Sequence, residues 1–374
     1  MRNSQTAHLP QLTWLRGIAA LLVLFSHINR ANETSYSGEL KQEFWLLNWL
    51  DLGSFGVALF FTLSGCTLYL STNQHGFPDI RSWYVFYLKR FFRIWPAFAL
   101  AFVAYALAGV LLRNALQPYH ESWLGLQFLT AYTTTDVINY LLLIFNFSGP
   151  PGLFNNAFWS LPIEFQYYLV LPLLVVLLQR FGPAALIGMV VLGHLLYKAD
   201  FDAMDSTLVF RLFFTFCFGI YAGFLYQQSQ LKLPAWFTLP ALVAMTCFVY
   251  LFSKGVFSAL PMPSEWLVYG FIAISFVLLT VMTDFTLPRP IASLLNFYGD
   301  ISYSLYLLHN LVIACVVVLF VQCAPWLAPY KLLFLTLITT LAATLIAWCS
   351  YVCVELPSIR IGQRLCRQQS RTTQ

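Results

Sequence analysis

The chain has 374 residues, of which 59% are hydrophobic and only 9% charged, against about a quarter charged in ordinary soluble domains. That balance excludes a water-soluble fold, and apolar runs recurring from Leu12 to Val354, each near the roughly 20 residues a spanning helix needs, imply a polytopic helical membrane protein. The net charge of +5 sits in loops that flank the runs, so it reports orientation in a bilayer and not a nucleic-acid partner.

In chain order, about ten spans are expected, beginning near Leu12, Asp51, Phe91, Asn155, Pro183, Ser206, Ala235, Glu265, Ile291 and Lys331, each with the length and hydropathy of a bilayer crossing. The first run holds Arg16 and no small-residue cleavage site, so it is read as a retained span and not a signal peptide. Residues 121–147 are apolar but interrupted by Thr133, Thr134, Thr135, Asp136 and Asn139, the pattern of an interfacial or re-entrant segment. An even span count puts both termini on one side. Arg2, Arg81, Lys89, Arg90, Arg93, Arg180, Lys232, Arg289, Arg360, Arg364, Arg367 and Arg371 fall on that side, which the positive-inside rule makes cytoplasmic. The expected fold is therefore all-α, a single integral membrane domain over 1–374 ending in a basic cytoplasmic tail at 360–374. The eight cysteines lie mostly within spans, and Cys349 and Cys353 are one helical turn apart, not a zinc-type pair; they are read as packing residues, and no metal is expected.

Four polar signals interrupt the oil. Arg16 and His27 lie eleven residues apart in "RGIAALLVLFSH", which puts them within roughly 20° of one helix face and about 16 Å apart along the axis. Arginine facing lipid is costly, so both are expected to face the bundle interior or a watery cavity; a snorkelling anchor for Arg16 and a helix-gluing role for His27 are the plain alternatives. Glu164 opens an apolar helix just after Trp159, at a depth near that of His27, where a carboxylate can hold an imidazole's tautomer; a helix-start acid is its alternative. In "YLKRFFRIWPAF", Lys89, Arg90 and Arg93 suit phosphate oxygens, and equally suit anionic lipid headgroups at a cytoplasmic flank. In "NFYGDISYSLYLLHNLV", Asp300, Ser302, Tyr303 and Ser304 are followed by His309 and Asn310 deeper in the run, lining a cavity or joining helices.

The ordered set "RGIAALLVLFSH", "FFTLSGCTLYL", "KRFFRIWPAF", "WSLPIEFQYYLVLPLL" and "ISYSLYLLH" resembles the acyltransferase-3 family of integral membrane acyltransferases over nearly the whole chain. The resemblance implies transfer of an acyl group, usually acetyl, from cytoplasmic acyl-CoA to a hydroxyl of a surface glycan such as lipopolysaccharide O-antigen, at a bacterial cytoplasmic membrane. It places the family's essential pair on Arg16 and His27, its arginine motif on Arg90 and Arg93, and its acid after Trp-Ser-Leu on Glu164. Cys66 departs from the larger residue often found after "SG". The expected mechanism has Lys89, Arg90 and Arg93 holding the acyl-CoA phosphates and His27 acting as general base on the acceptor hydroxyl. Glu164 orients His27 or binds the sugar, while Trp159, Tyr167, Tyr168 and His309 contact substrate. Acetyl-CoA is a co-substrate, and no tightly bound cofactor is expected. A small-molecule acceptor and a non-enzymatic transporter of a lipid-linked glycan are the competing readings, the latter lacking the paired broken helices of two related halves.

Overall fold

The computed structural model of the protein describes residues 9–33, 45–72, 76–148, 152–198, 207–229, 231–258, 265–284 and 287–371. Among them the structure is helical, with one isolated bridge between Leu233 and Thr283. The α-helices are α1 Pro10–Asn32, α2 Trp45–Leu50, α3 Gly53–Thr72, α4 Ile80–Leu111, α5 Arg113–Leu116, α6 Trp123–Leu129, α7 Thr134–Leu141 and α8 Phe145–Ser148. They continue as α9 Ser160–Phe181, α10 Pro183–Lys198, α11 Thr207–Gln228, α12 Ala235–Ser253, α13 Glu265–Val281, α14 Arg289–Asp300, α15 Ser302–Cys323, α16 Lys331–Ser350 and α17 Leu356–Arg371.

Seven helical stretches among the described residues are long and apolar enough to cross a bilayer. They carry the spans expected from Leu12, Asp51, Phe91, Asn155, Ala235 and Lys331, and one other. The runs from Pro183 and Glu265 form shorter apolar helices. Ser206, the expected start of another, lies outside the described residues, as do 372–374 of the basic tail; α11 follows at Thr207. The run from Ile291 is corrected: α14 stops at Asp300 and the spanning helix α15 starts at Ser302. A Cβ on Gly299 would lie 2.2 Å from the Thr13 carbonyl oxygen, so α14 is pressed against α1 just before the chain turns. Residues 113–148 form only short helices, none of them long enough for a crossing.

The chain divides into two compact units. Unit one comprises Met1–Leu22, Leu52–Trp83 and Ile163–Asp300. Its axis is α3, which meets α11 through interlocked glycines: a Cβ on Gly65 would sit 2.3 Å from the Phe216 carbonyl oxygen, and one on Gly219 would sit 2.1 Å from that of Thr62. Gly219 and Gly223 are four apart, the small-residue spacing that lets membrane helices approach at backbone distance. Phe55 of α3 packs edge-on against Tyr269 and Phe276 of α13, with ring centroids 6.1 and 5.5 Å away. The start of α1 is fixed to α14 by Trp14 Nε1–H donating to Asn296 Oδ1 at 3.0 Å and by the Gly17–Gly299 crossing.

Unit two comprises Val23–Asp51, Tyr84–Pro162 and Ile301–Gln374. Its centre is α15, buried from Ser304 through Asn310. Asn155, fully buried, straps the turn before α9 to this helix. Its amide donates to the Leu307 carbonyl at 3.1 Å, while its Oδ1 accepts from Asn310 at 2.8 Å and from the Ala157 N–H at 2.9 Å. Tyr306 donates to the Ala157 carbonyl at 2.7 Å and therefore accepts from Ser160, also at 2.7 Å. Inside a bilayer no water competes for these groups, so each must find its partner in protein.

Candidate active site

In unit one, α3 gathers two of the ionisable residues expected at the site. Arg16 donates to Thr67 Oγ1 at 2.9 Å. One turn earlier on the same face, Ser64 donates to Glu164 Oε1 at 3.2 Å, and Tyr168 donates to the same oxygen. Ser64 and Thr67 thus make "LSGCT" a polar rail for one cation and one carboxylate. Neither residue was singled out from sequence, although two hydroxyls at i, i+3 in an apolar run were the available signal. Tyr167, expected to contact substrate, is instead a core residue. Its ring meets Phe61, Phe213 and Phe216 with centroids 5.6, 5.6 and 5.1 Å away, and its hydroxyl donates to the Val209 carbonyl. Tyr168 is buried with its hydroxyl on Glu164.

In unit two, α1 presents His27 beside α15. Ser26 and Asn29, on either side of it, donate to the two oxygens of Asp51 at 2.7 and 3.0 Å, which fixes this turn of the helix. The His27 Nδ1 lies 2.6 Å from His309 Nε2. The ring planes differ by 5° and the centroids are 4.9 Å apart. With that nitrogen contact, so large a centroid separation is reached only when the rings meet end to end in one plane, the geometry of an N–H···N hydrogen bond and not of a stack.

The direction of that bond follows from its far end. His309 Nδ1 is 3.0 Å from the Leu305 carbonyl oxygen, and a carbonyl only accepts. His309 therefore carries its proton on Nδ1, its neutral Nε2 is an acceptor, and His27 must donate from Nδ1. The remaining nitrogen of His27, Nε2, keeps its lone pair. His27 is partly exposed while His309 is 1% exposed, so the buried ring orients and the accessible ring is left with the basic atom.

This geometry corrects two expectations. His309, expected to touch substrate, has both ring nitrogens engaged within the protein. Of the two roles expected of Glu164, orienting His27 or binding the sugar, the first is filled by His309, which takes the Nδ1 of His27. Trp159 ends the short 3-10 turn Asn156–Trp159 that leads into α9. Of the basic cluster, Lys89 is exposed, the Arg90 guanidinium lies 5.6 Å from the centroid of the Phe86 ring, and Arg93 is 3.0 Å from Glu355. Glu355 is fully buried and also accepts from Ser304 at 2.7 Å. It ends a π-helical turn, Tyr351–Glu355, between α16 and α17, a local widening frequent at functional sites. Ser304 and His309 are five residues apart on α15, about 7.5 Å along its axis, so one helix carries both the anchored cation and the histidine pair. Among the described residues no group of three or more His, Cys, Asp or Glu is placed to hold a metal ion.

The fold and this site define a multi-pass membrane protein built around an oriented histidine with one free basic nitrogen. Residues 9–351 match the family model described as an acyltransferase domain, and the chain belongs to this family, acyltransferase-3. It is 32% identical over 175 residues to acyltransferase MdmB of Streptomyces mycarofaciens, covering 45% of this chain and 40% of that protein. It is 25% identical over 343 residues to a protein of Staphylococcus aureus (strain COL) provisionally named O-acetyltransferase SACOL0978, covering 83% of this chain and 51% of that one. Nodulation protein 10 of Rhizobium leguminosarum bv. viciae is 26% identical over 387 aligned positions, covering 96% of each. The chain thus spans about half the length or less of the first two relatives. No solved structure matches it.

Proposed function

We propose that this protein is a membrane O-acyltransferase that moves an acyl group, acetyl by preference, from cytoplasmic acyl-CoA to a hydroxyl of a cell-surface glycan at the bacterial cytoplasmic membrane. The observation that carries the reading is the relay from the Leu305 carbonyl through His309 to His27. A thioester is already activated, whereas a sugar hydroxyl is a weak nucleophile, so the component the reaction lacks is a base. His27 Nε2 supplies it. Membership of the acyltransferase family and the O-acetyltransferase name of one relative support the same class of transfer.

Lys89, Arg90 and Arg93 hold the acyl-CoA phosphates, with Arg93 kept in place by Glu355, and the pantetheine arm follows α15 towards the histidine pair. The test uses purified protein in vesicles, labelled acetyl-CoA and the membrane glycolipid fraction of the expressing cells. Label is expected in the glycolipid with wild type and absent with His27→Ala, whose yield and elution remain normal. A transporter leaves all label in the thioester, and transfer by His27→Ala at the wild-type rate removes the histidine from the chemistry.

A further inference from the structure

We propose that Trp123 supplies the oxyanion-stabilising hydrogen bond of the transfer, its indole Nε1–H donating to the thioester carbonyl oxygen as that oxygen gains charge. The inference rests on the acyl transfer proposed above. The Trp123 ring lies 5.2 Å from the His27 ring, centroid to centroid, tilted by 34°. Its Nε1 is buried and has no hydrogen-bond partner among the described residues. A buried donor left unpaired costs about 1–3 kcal/mol, and protein interiors rarely tolerate one without a use for it.

The position of Trp123 is, moreover, over-determined. It opens α6, whose N-terminus is capped by Ser122 Oγ accepting from the Gly125 N–H at 3.0 Å. Gly125 is pressed so close to the preceding turn that a Cβ would sit 2.2 Å from the Tyr119 carbonyl oxygen. Gln127 donates to the Trp123 carbonyl at 3.0 Å and accepts from the Asn156 N–H at 3.0 Å. A donor held this way needs no reorganisation when charge develops, which is the condition under which such a bond accelerates a reaction.

In the step itself, His27 Nε2 takes the acceptor hydroxyl proton while the hydroxyl oxygen bonds to the thioester carbon. The carbonyl π pair moves onto oxygen, which accepts a hydrogen bond from Trp123 Nε1–H. Collapse reforms the carbonyl and breaks the carbon–sulfur bond, and the departing thiolate takes the proton from His27. Products are the O-ester and the free thiol, with no other reactant needed.

The test compares Trp123→Phe, and Trp123 replaced by benzothienylalanine, which keeps the indole outline but has sulfur for N–H. Both are assayed in vesicles with labelled acetyl-CoA and the same glycolipid fraction. Each is expected to lower kcat about 10²-fold, the effect of losing one such donor, with KM for acetyl-CoA unchanged, and the benzothienylalanine protein, freed of the unpaired donor, unfolds at or above the wild-type temperature. Wild-type kcat in the benzothienylalanine protein, with His27→Ala inactive, overturns the inference alone and leaves Trp123 a packing aromatic. Full activity in His27→Ala overturns the acyl-transfer reading and this inference with it.

Discussion

The histidine relay makes a quantitative prediction about His309, a residue that touches His27 and not the reacting atoms. Its ring is 1% exposed and its Nε2 is the acceptor, at 2.6 Å, for the Nδ1–H of His27. Replacing His309 by Phe keeps a planar ring in the site but removes that acceptor. His27 is then left with a buried, unpaired N–H worth about 1–3 kcal/mol, which it escapes by moving its proton to Nε2 or by turning the ring. Either change takes the lone pair away from the acceptor hydroxyl. At 1.36 kcal/mol per tenfold in rate, kcat falls about 5- to 160-fold. KM for acetyl-CoA stays constant, because the basic cluster is untouched. Gln at the same position brings an amide oxygen that accepts from His27 Nδ1, so His309→Gln is expected to keep kcat within about threefold of wild type. The assay is initial-rate label transfer in vesicles, with unfolding temperature measured on the same preparations. Equal activity of the Phe and Gln proteins, both stably folded, refutes the tautomer argument.

Two further outcomes follow from packing and charge. Gly219→Ala places a Cβ 2.1 Å from the Thr62 carbonyl oxygen, backbone that cannot swing aside, so α3 and α11 must separate at a cost of about 1–3 kcal/mol; Gly188→Ala, with nothing within 4 Å of its Cβ, is the control and leaves the unfolding temperature unchanged or slightly raised. Glu355→Gln leaves Arg93 without its carboxylate while Ser304 keeps an acceptor. With the Arg93 side chain 31% exposed, the loss is about 1–3 kcal/mol, and a cycle with Arg93→Gln, followed by thermal unfolding, recovers that energy as coupling between the two sites.

Ionisable residues inside apolar runs are conspicuous because the bilayer makes each one costly, and this is why Arg16, His27, Glu164 and the basic cluster could be singled out one by one. Their partners could not. Glu164 was matched to His27 on depth alone, but depth is one coordinate, and which neighbour a side chain meets also depends on how each helix is rotated. His27 and His309 are 282 positions apart, and nothing local to either motif announces the other. The α14–α15 break was hidden because a hydropathy window averages across Gly299, Asp300 and Ile301, and the close approach of Gly299 to Thr13 joins positions far apart in sequence. Trp123 sat in a segment recognisable only as something other than a full span.

Pairing two histidines rather than a histidine and a carboxylate has a mechanistic consequence. A buried Asp fixes an imidazole's tautomer and also stabilises the imidazolium that forms. His309 does the first without the second. Its polarity is set by the Leu305 carbonyl, a backbone group that cannot give up a proton, so the relay is directional but neutral. The positive charge that appears on His27 when it deprotonates the hydroxyl has no anionic partner in this chain of hydrogen bonds. Its relief within the reaction comes from the oxyanion formed with it and then from the thiolate released from the donor. Such a site favours brief protonation of His27, with uptake of the hydroxyl proton and its return to sulfur closely coupled, and it accounts for an orienting residue that is buried and uncharged.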